Sequence, residues 1–139
     1  MPDLVGTLVD SSVLLDVATG DPVWSDWSAQ ALASAVRRGP VLVNPIVFAE
    51  VSVGFDRIED LDDALPPDIF RREPIPYVAA FLAAKAFRAY RHRGGTKTTP
   101  LPDFFIGAHA AIGELALLTR DAHRFRTYFP TVRLMAPEG

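Results

Sequence analysis

Four of the seventeen acidic side chains in this chain stand where they could do chemistry. Asp10 follows directly on the apolar run at residues 4–9, and Asp121 comes just after the apolar run that ends at Leu118-Thr119. Asp103 opens a helical segment, and Glu50 lies within Ile46-Val47-Phe48-Ala49-Glu50-Val51-Ser52-Val53, where hardly any other position is charged. Three of them have an ordinary structural reading. Asp10 and Asp121 could each cap the helix that follows, a role worth about 1 kcal/mol. Asp103 could simply favour a helix dipole from the first turn, by roughly 0.3–1 kcal/mol. Glu50 is harder to explain that way, because a glutamate is rarely buried unless it is paired or holds a metal. A solvated helix face would also show several polar positions at helical spacing, and this segment shows few.

If the four acids converge, their chemistry is that of a hard cation. Like charges at close range raise one another's pKa and disfavour the fully ionised cluster. A divalent ion removes that repulsion, and oxygen ligands select Mg²⁺, Mn²⁺ or Ca²⁺ over softer metals. The chain has no cysteine, which excludes thiolate sites, disulfides and cysteine nucleophiles. His92, His109 and His123 form no ligand pair at short spacing, so zinc fits less well and all three read as structural or surface residues.

The elements that must position these acids follow from apolar patterning. Short apolar runs at 4–9, 41–43, 115–118 and 132–135 predict strands. Helical spacing predicts helices over 13–18, 24–38, from Asn44-Pro45 through Val51, from Pro76 to the stop at Gly94-Gly95, from Pro102-Asp103, and a short one opened by Asp121. The acidic, then proline-rich stretch at 56–73 reads as a connection with one short helix. Strands alternating with helices predict one α/β domain over residues 1–139, around a mostly parallel sheet. Ligands bind such sheets at the carboxyl ends of the strands, where Asp10 and Asp121 fall.

Composition sets the outer limits. With 139 residues, 49% hydrophobic and 22% charged, the chain is expected to be one ordinary globular domain. No apolar run approaches the roughly 18 residues of a membrane span. Asp3, Asp10 and Asp16 interrupt what a secretory leader would need, so a cytoplasmic location without membrane attachment is expected. A net charge of −3 argues against broad coating of nucleic acid and requires any such contact to be local or metal-assisted.

Four blocks now carry a resemblance: Leu8-Val9-Asp10-Ser11-Ser12-Val13-Leu14, Pro45-Ile46-Val47-Phe48-Ala49-Glu50-Val51, Leu101-Pro102-Asp103-Phe104-Phe105-Ile106-Gly107-Ala108-His109-Ala110, and Leu117-Leu118-Thr119-Arg120-Asp121. In order and spacing they resemble the signature blocks of PIN-domain nucleases over nearly the whole chain, with the closest likeness to VapC-type toxins of toxin–antitoxin pairs. The resemblance implies a three-layer α/β/α fold and Mg²⁺- or Mn²⁺-dependent cleavage of RNA. It implies that Asp10, Glu50, Asp103 and Asp121 are the catalytic, metal-holding acids, with Asp10 and Asp103 the foremost direct ligands. Ser12 and Thr119 match the small polar residues beside them. It further implies a small antitoxin as partner, a homodimer, and a larger toxin–antitoxin assembly.

The remaining expectations concern the surroundings. Arg91, Arg93 and Lys97, with Lys85 and Arg88, lead into the Asp103 block and could contact an RNA backbone or simply form a solvated helix end. Arg120 and Arg124 flank Asp121 and could hold phosphate or balance the acids. Tyr77, Phe81, Phe87 and Tyr90 share helical spacing and read as core or dimer interface. Gly107, one turn from Asp103, would allow close approach of backbone or substrate. Three rival functions are a PIN-type nuclease of RNA processing, a catalytically silent binding module, and a phosphoryl-transfer domain of receiver or dehalogenase type. The last is disfavoured because Ser12 stands where its second acid is expected and no lysine follows the last strands.

Overall fold

The computed structural model describes residues 6–95 and 101–137. Its elements in chain order are β1 (Thr7–Val9), α1 (Ser11–Thr19), α2 (Ser25–Arg38), β2 (Val41–Val43), α3 (Pro45–Ser52), α4 (Ile58–Ala64), β3 (Phe70–Arg72), α5 (Tyr77–His92), α6 (Leu101–Gly113), β4 (Ala116–Leu118), α7 (Ala122–Tyr128) and β5 (Leu134–Met135). The five strands form one parallel sheet in the order β3-β2-β1-β4-β5. The three central strands β2, β1 and β4 are buried at every position. That is why β2 and β4 read as short unbroken apolar runs, and β1 as one broken only by Thr7, rather than as alternating ones. Helices joining parallel strands must cross over its faces, giving the three-layer α/β/α arrangement. Within the helical layers α1 packs on α2, and α5 packs on α6.

Local signals explain most of the boundaries. Asn44 caps α3, its side-chain oxygen accepting the Val47 N–H at 2.9 Å, with Pro45 tolerated in the first turn. Helix α1 ends at Gly20 in the left-handed conformation (φ 63°), whose N–H closes on the last carbonyls. One element was not expected. The stretch at 56–73 holds not only α4 but also β3, paired in register with β2 through Val41–Phe70 and Val43–Arg72. An edge strand with one buried residue, Phe70, followed by two exposed arginines carries no apolar run to betray it.

The aromatic positions divide. Phe104 on α6 is fully buried, with the rings of Tyr128 at 5.2 Å, Tyr90 at 5.6 Å, Phe87 at 5.9 Å and Phe129 at 6.1 Å. Phe87 and Tyr90 are therefore half-buried and pack against the core, in the edge-on and tilted arrangements on Phe104 that favour aromatic pairs. Tyr77 and Phe81 lie 94% and 65% exposed. Gly107 does admit a close approach, but the visitor is a ring of this protein. A Cβ there would stand 2.4 Å from Phe129 Cδ2 and 2.5 Å from Cε2, so the missing side chain makes room for Phe129.

Candidate active site

The sheet order reverses at β1. The chain leaves β1 for β2 on one side, while β4 later takes the place on the other. Such a reversal opens a crevice at the carboxyl ends of the two central strands. Asp10 follows β1 directly, and its N–H donates to Leu118 O at 2.8 Å at the end of β4. Its carboxyl group is only 4% exposed as a residue and makes no cap bond to α1. Instead Oδ2 accepts the hydroxyls of Thr119 at 2.8 Å and Ser12 at 2.9 Å. Oδ1 is buried with no hydrogen-bond partner among the described residues. The Asp10 pKa is pushed up to about 6, by burial above all, with the charges of Asp103 and Glu50 adding to the rise and the Thr119 and Ser12 hydroxyls opposing it.

The other acids gather around this group to different degrees. Glu50 is half-buried on α3 and accepts the Ser11 hydroxyl at 2.7 Å. Asp103 is half-buried in the first turn of α6, close enough for its charge to act on Asp10. Asp121 is exposed at the start of α7 and, like Asp10, makes no side-chain cap bond. Its N–H donates to Thr119 Oγ1 at 3.0 Å, so one hydroxyl links the Asp10 carboxylate to the Asp121 backbone. Among the described residues no three acids or histidines are already drawn into a finished cation cage. The chemistry of the set still fits a hard divalent cation. Its donors are all oxygen, three negative groups interact, and one buried carboxylate oxygen has no hydrogen-bond partner among the described residues.

Ser12 and Thr119 both lie on Asp10. Ser11, which no sequence argument singled out, does the same for Glu50. A further acid was also missed. Asp16 on α1 is 3% exposed, accepts the Ser28 hydroxyl at 2.8 Å, and receives Arg120 through Nε at 2.8 Å and a terminal nitrogen at 2.9 Å. The reasoning that isolated Glu50 applies equally to Asp16, a lone charge within Val13-Leu14-Leu15-Asp16-Val17.

The expected phosphate contacts are placed as follows. Arg120 is committed to Asp16 and lies over the Trp24 ring at 5.6 Å, which ties the loop carrying Thr119 and Asp121 to α1 and α2. Asp16 raises the Arg120 pKa still further. Arg91 lies over the Phe87 ring at 5.7 Å and Arg93 over Tyr128 at 5.5 Å, both exposed at the end of α5. Lys97, and the side chain of Arg124, lie outside the described residues. His109 is buried on α6 with Nδ1 3.1 Å from Asn44 Nδ2, and burial lowers its pKa.

Comparison with known proteins adds three findings. A family model described as PIN domain matches residues 7–129. Among solved structures, the fold is shared with VapBC2 from Rickettsia felis bound to a promoter DNA fragment (TM-score 0.73, 15% identity, 95% of this chain and 98% of that one). It is shared also with a toxin–antitoxin complex from Klebsiella pneumoniae (0.68, 23%, 91% and 95%) and with FitAcB from Neisseria gonorrhoeae (0.64, 20%, 93% and 96%). No curated protein sequence matches.

Proposed function

The chain belongs to the PIN-domain family, a nuclease fold, and from that premise we propose that it is a metal-dependent ribonuclease acting as the toxin of a toxin–antitoxin pair. The observation that carries the chemistry is Asp10, buried at the switch point of the sheet with Oδ1 unpartnered among the described residues and Asp103 and Glu50 within electrostatic reach. Asp10 and Asp103 would hold Mg²⁺ or Mn²⁺, with Glu50 and Asp121 joining directly or through water. When bound, the cation lowers the pKa of an attacking water and offsets charge on the scissile phosphate. The chain's own residues do the positioning. Ser12 and Thr119 occupy Oδ2 of Asp10, which leaves Oδ1 as its open acceptor, and Ser11 fixes one oxygen of Glu50. Arg91, Arg93 and Lys97 supply cationic contacts to the RNA backbone, while Arg120 acts through the loop it anchors.

The toxin role and a small antitoxin partner are supported by the fold's likeness to VapBC and other toxin–antitoxin complexes. A homodimer belongs to the same reading, and the exposed Tyr77, Val78 and Phe81 on α5 give it an apolar face. No described helix is long and apolar enough to cross a membrane. The test is cleavage of total RNA by purified protein with Mg²⁺ or Mn²⁺. Excess EDTA should abolish it, and Asp103→Asn should abolish it with an unchanged circular-dichroism spectrum. An undiminished rate in EDTA refutes the metal mechanism. Induced expression should arrest growth and a neighbouring reading frame should relieve it; harmless expression of active enzyme refutes the toxin role.

A further inference from the structure

A groove of about 330 Å³ opens at the carboxyl ends of β2 and β3, lined among others by Asn44, Phe48, Arg72, Glu73 and Pro74. None of these residues belongs to the acidic site, yet strand register puts the groove beside it. Leu8 pairs with Leu42, so Asp10 and Asn44 emerge side by side two residues later, and Val43 in turn pairs with Arg72. Neighbouring strands lie about 4.8 Å apart. The groove therefore sits one to two strand spacings from Asp10, about the reach from a scissile phosphate to an adjoining nucleotide.

Its chemistry is that of a platform and a reader. The Arg72 guanidinium lies 4.9 Å from the centre of the Phe48 ring, donates to Asp62 Oδ1 at 2.9 Å and to Leu65 O at 3.1 Å. Held from these sides, its plane is set before anything binds, and a fixed guanidinium plane is a surface on which unpaired bases stack. Glu73 is anchored by its N–H on Val43 O at 3.0 Å, while its half-buried carboxylate accepts no hydrogen bond among the described residues. A carboxylate can only accept. Guanine alone among the RNA bases places two donors, N1–H and N2–H₂, side by side on its Watson–Crick edge. Adenine, cytosine and uracil each put an acceptor beside the donor there, which a carboxylate repels.

We propose that this groove is a nucleobase subsite of the ribonuclease inferred above, with Arg72 stacking on a guanine next to the cleaved bond and Glu73 reading its edge. The inference rests on that reading for its substrate. Size favours a base over a protein partner. The volume is at the low end of small-ligand pockets, roughly 300–1,000 Å³. Its lining amounts to seven residues, whereas a stable protein interface takes about 20–30 a side.

The test uses the full chain as Asp103→Asn in Mg²⁺, so that RNA stays intact, with short fluorescent RNAs of otherwise uniform sequence differing in one base. Fluorescence anisotropy should show the guanine RNA bound about 10-fold more tightly than the other three, the discrimination a bidentate base contact provides. Glu73→Gln should bring all four to parity at the affinity the non-guanine RNAs already had. Equal affinity for all four RNAs overturns the proposal, as does a guanine preference that survives Glu73→Gln. Because binding is read without cleavage, a wild-type protein that fails to cut RNA would refute the proposed activity separately.

Discussion

Asp10→Asn should stabilise the metal-free protein, and by an amount that depends on pH. The folded state raises the Asp10 pKa from 3.8 to about 6, mainly through burial. A group with a raised folded-state pKa holds its proton more tightly in the native chain, so stability is fully present below about pH 4 and is lost as pH rises through about 6. The difference of about two units corresponds to about 3 kcal/mol of destabilisation at pH 7.5. Asparagine removes that cost, because it has no charge to desolvate and its carbonyl oxygen can accept the Ser12 and Thr119 hydroxyls. Its amide would take the place of the unpartnered Oδ1 and lose about 1–2 kcal/mol for want of an acceptor. A net gain of about 1–2 kcal/mol remains, which for a domain of this size raises Tm by about 5 °C. Melting in EDTA across pH 4 to 8 tests this: the variant should match or trail the wild type at about pH 4, overtake it between about pH 4 and 6, and hold a constant lead above that. Adding Mn²⁺ should then stabilise the wild type and leave Asp10→Asn unmoved, since a ligand that binds only the native state adds RT ln(1 + [L]/Kd). A Tm difference that ignores pH, or an Asp10→Asn protein that melts lower at pH 7.5 in EDTA, would refute the reasoning.

Three further substitutions probe the surroundings. Gly107→Ala should destabilise by about 1–2 kcal/mol in urea melts despite alanine's helix propensity, because the added methyl runs into the Phe129 ring; a gain in stability would mean that ring is free to yield. Asp16→Ala should cost about 2–4 kcal/mol in the same assay by stranding Arg120 and the Ser28 hydroxyl, and an unchanged midpoint would remove the ion pair from the account of the fold. Thr119→Val keeps shape but deletes the hydroxyl that joins Asp10 to the Asp121 backbone, so Mn²⁺ affinity by calorimetry should fall about 10- to 100-fold, and wild-type affinity would refute the linking role.

The parts of this fold that were legible in sequence share a cause. Strands buried on both faces must be apolar throughout, so Val41-Leu42-Val43 and Leu117-Leu118 announce themselves, and Asn44-Pro45 marks a helix start by mechanisms that act within four residues. Strand β3 was hidden because an edge strand needs only one buried residue, and Phe70-Arg71-Arg72 has no period to detect. Phe129 against Gly107 was hidden for a different reason. A glycine reports that something comes close, but what comes close is decided by tertiary packing 22 positions further on.

The acids show the same division more sharply. Placement after an apolar run marked Asp10 and Asp121 equally, and both could have been helix caps; the structure leaves neither with a cap bond. What separates them is depth, 4% exposed against an open surface, and depth comes from β1 lying in the middle of the sheet, which only the strand order supplies. Glu50 was singled out as a lone charge in an apolar helix, and the same argument would have found Asp16. The two differ in what meets them. Asp16 finds a guanidinium and a hydroxyl and is satisfied within the protein, whereas Glu50 finds Ser11 and acts with Asp103 to raise the pKa of Asp10. A lone acid in an apolar segment therefore signals a required partner, and the site is where the protein itself does not supply one. Asp10 Oδ1 is the atom for which that can be stated outright, and it is the atom on which Mn²⁺ binding to wild type and to Asp10→Asn must differ.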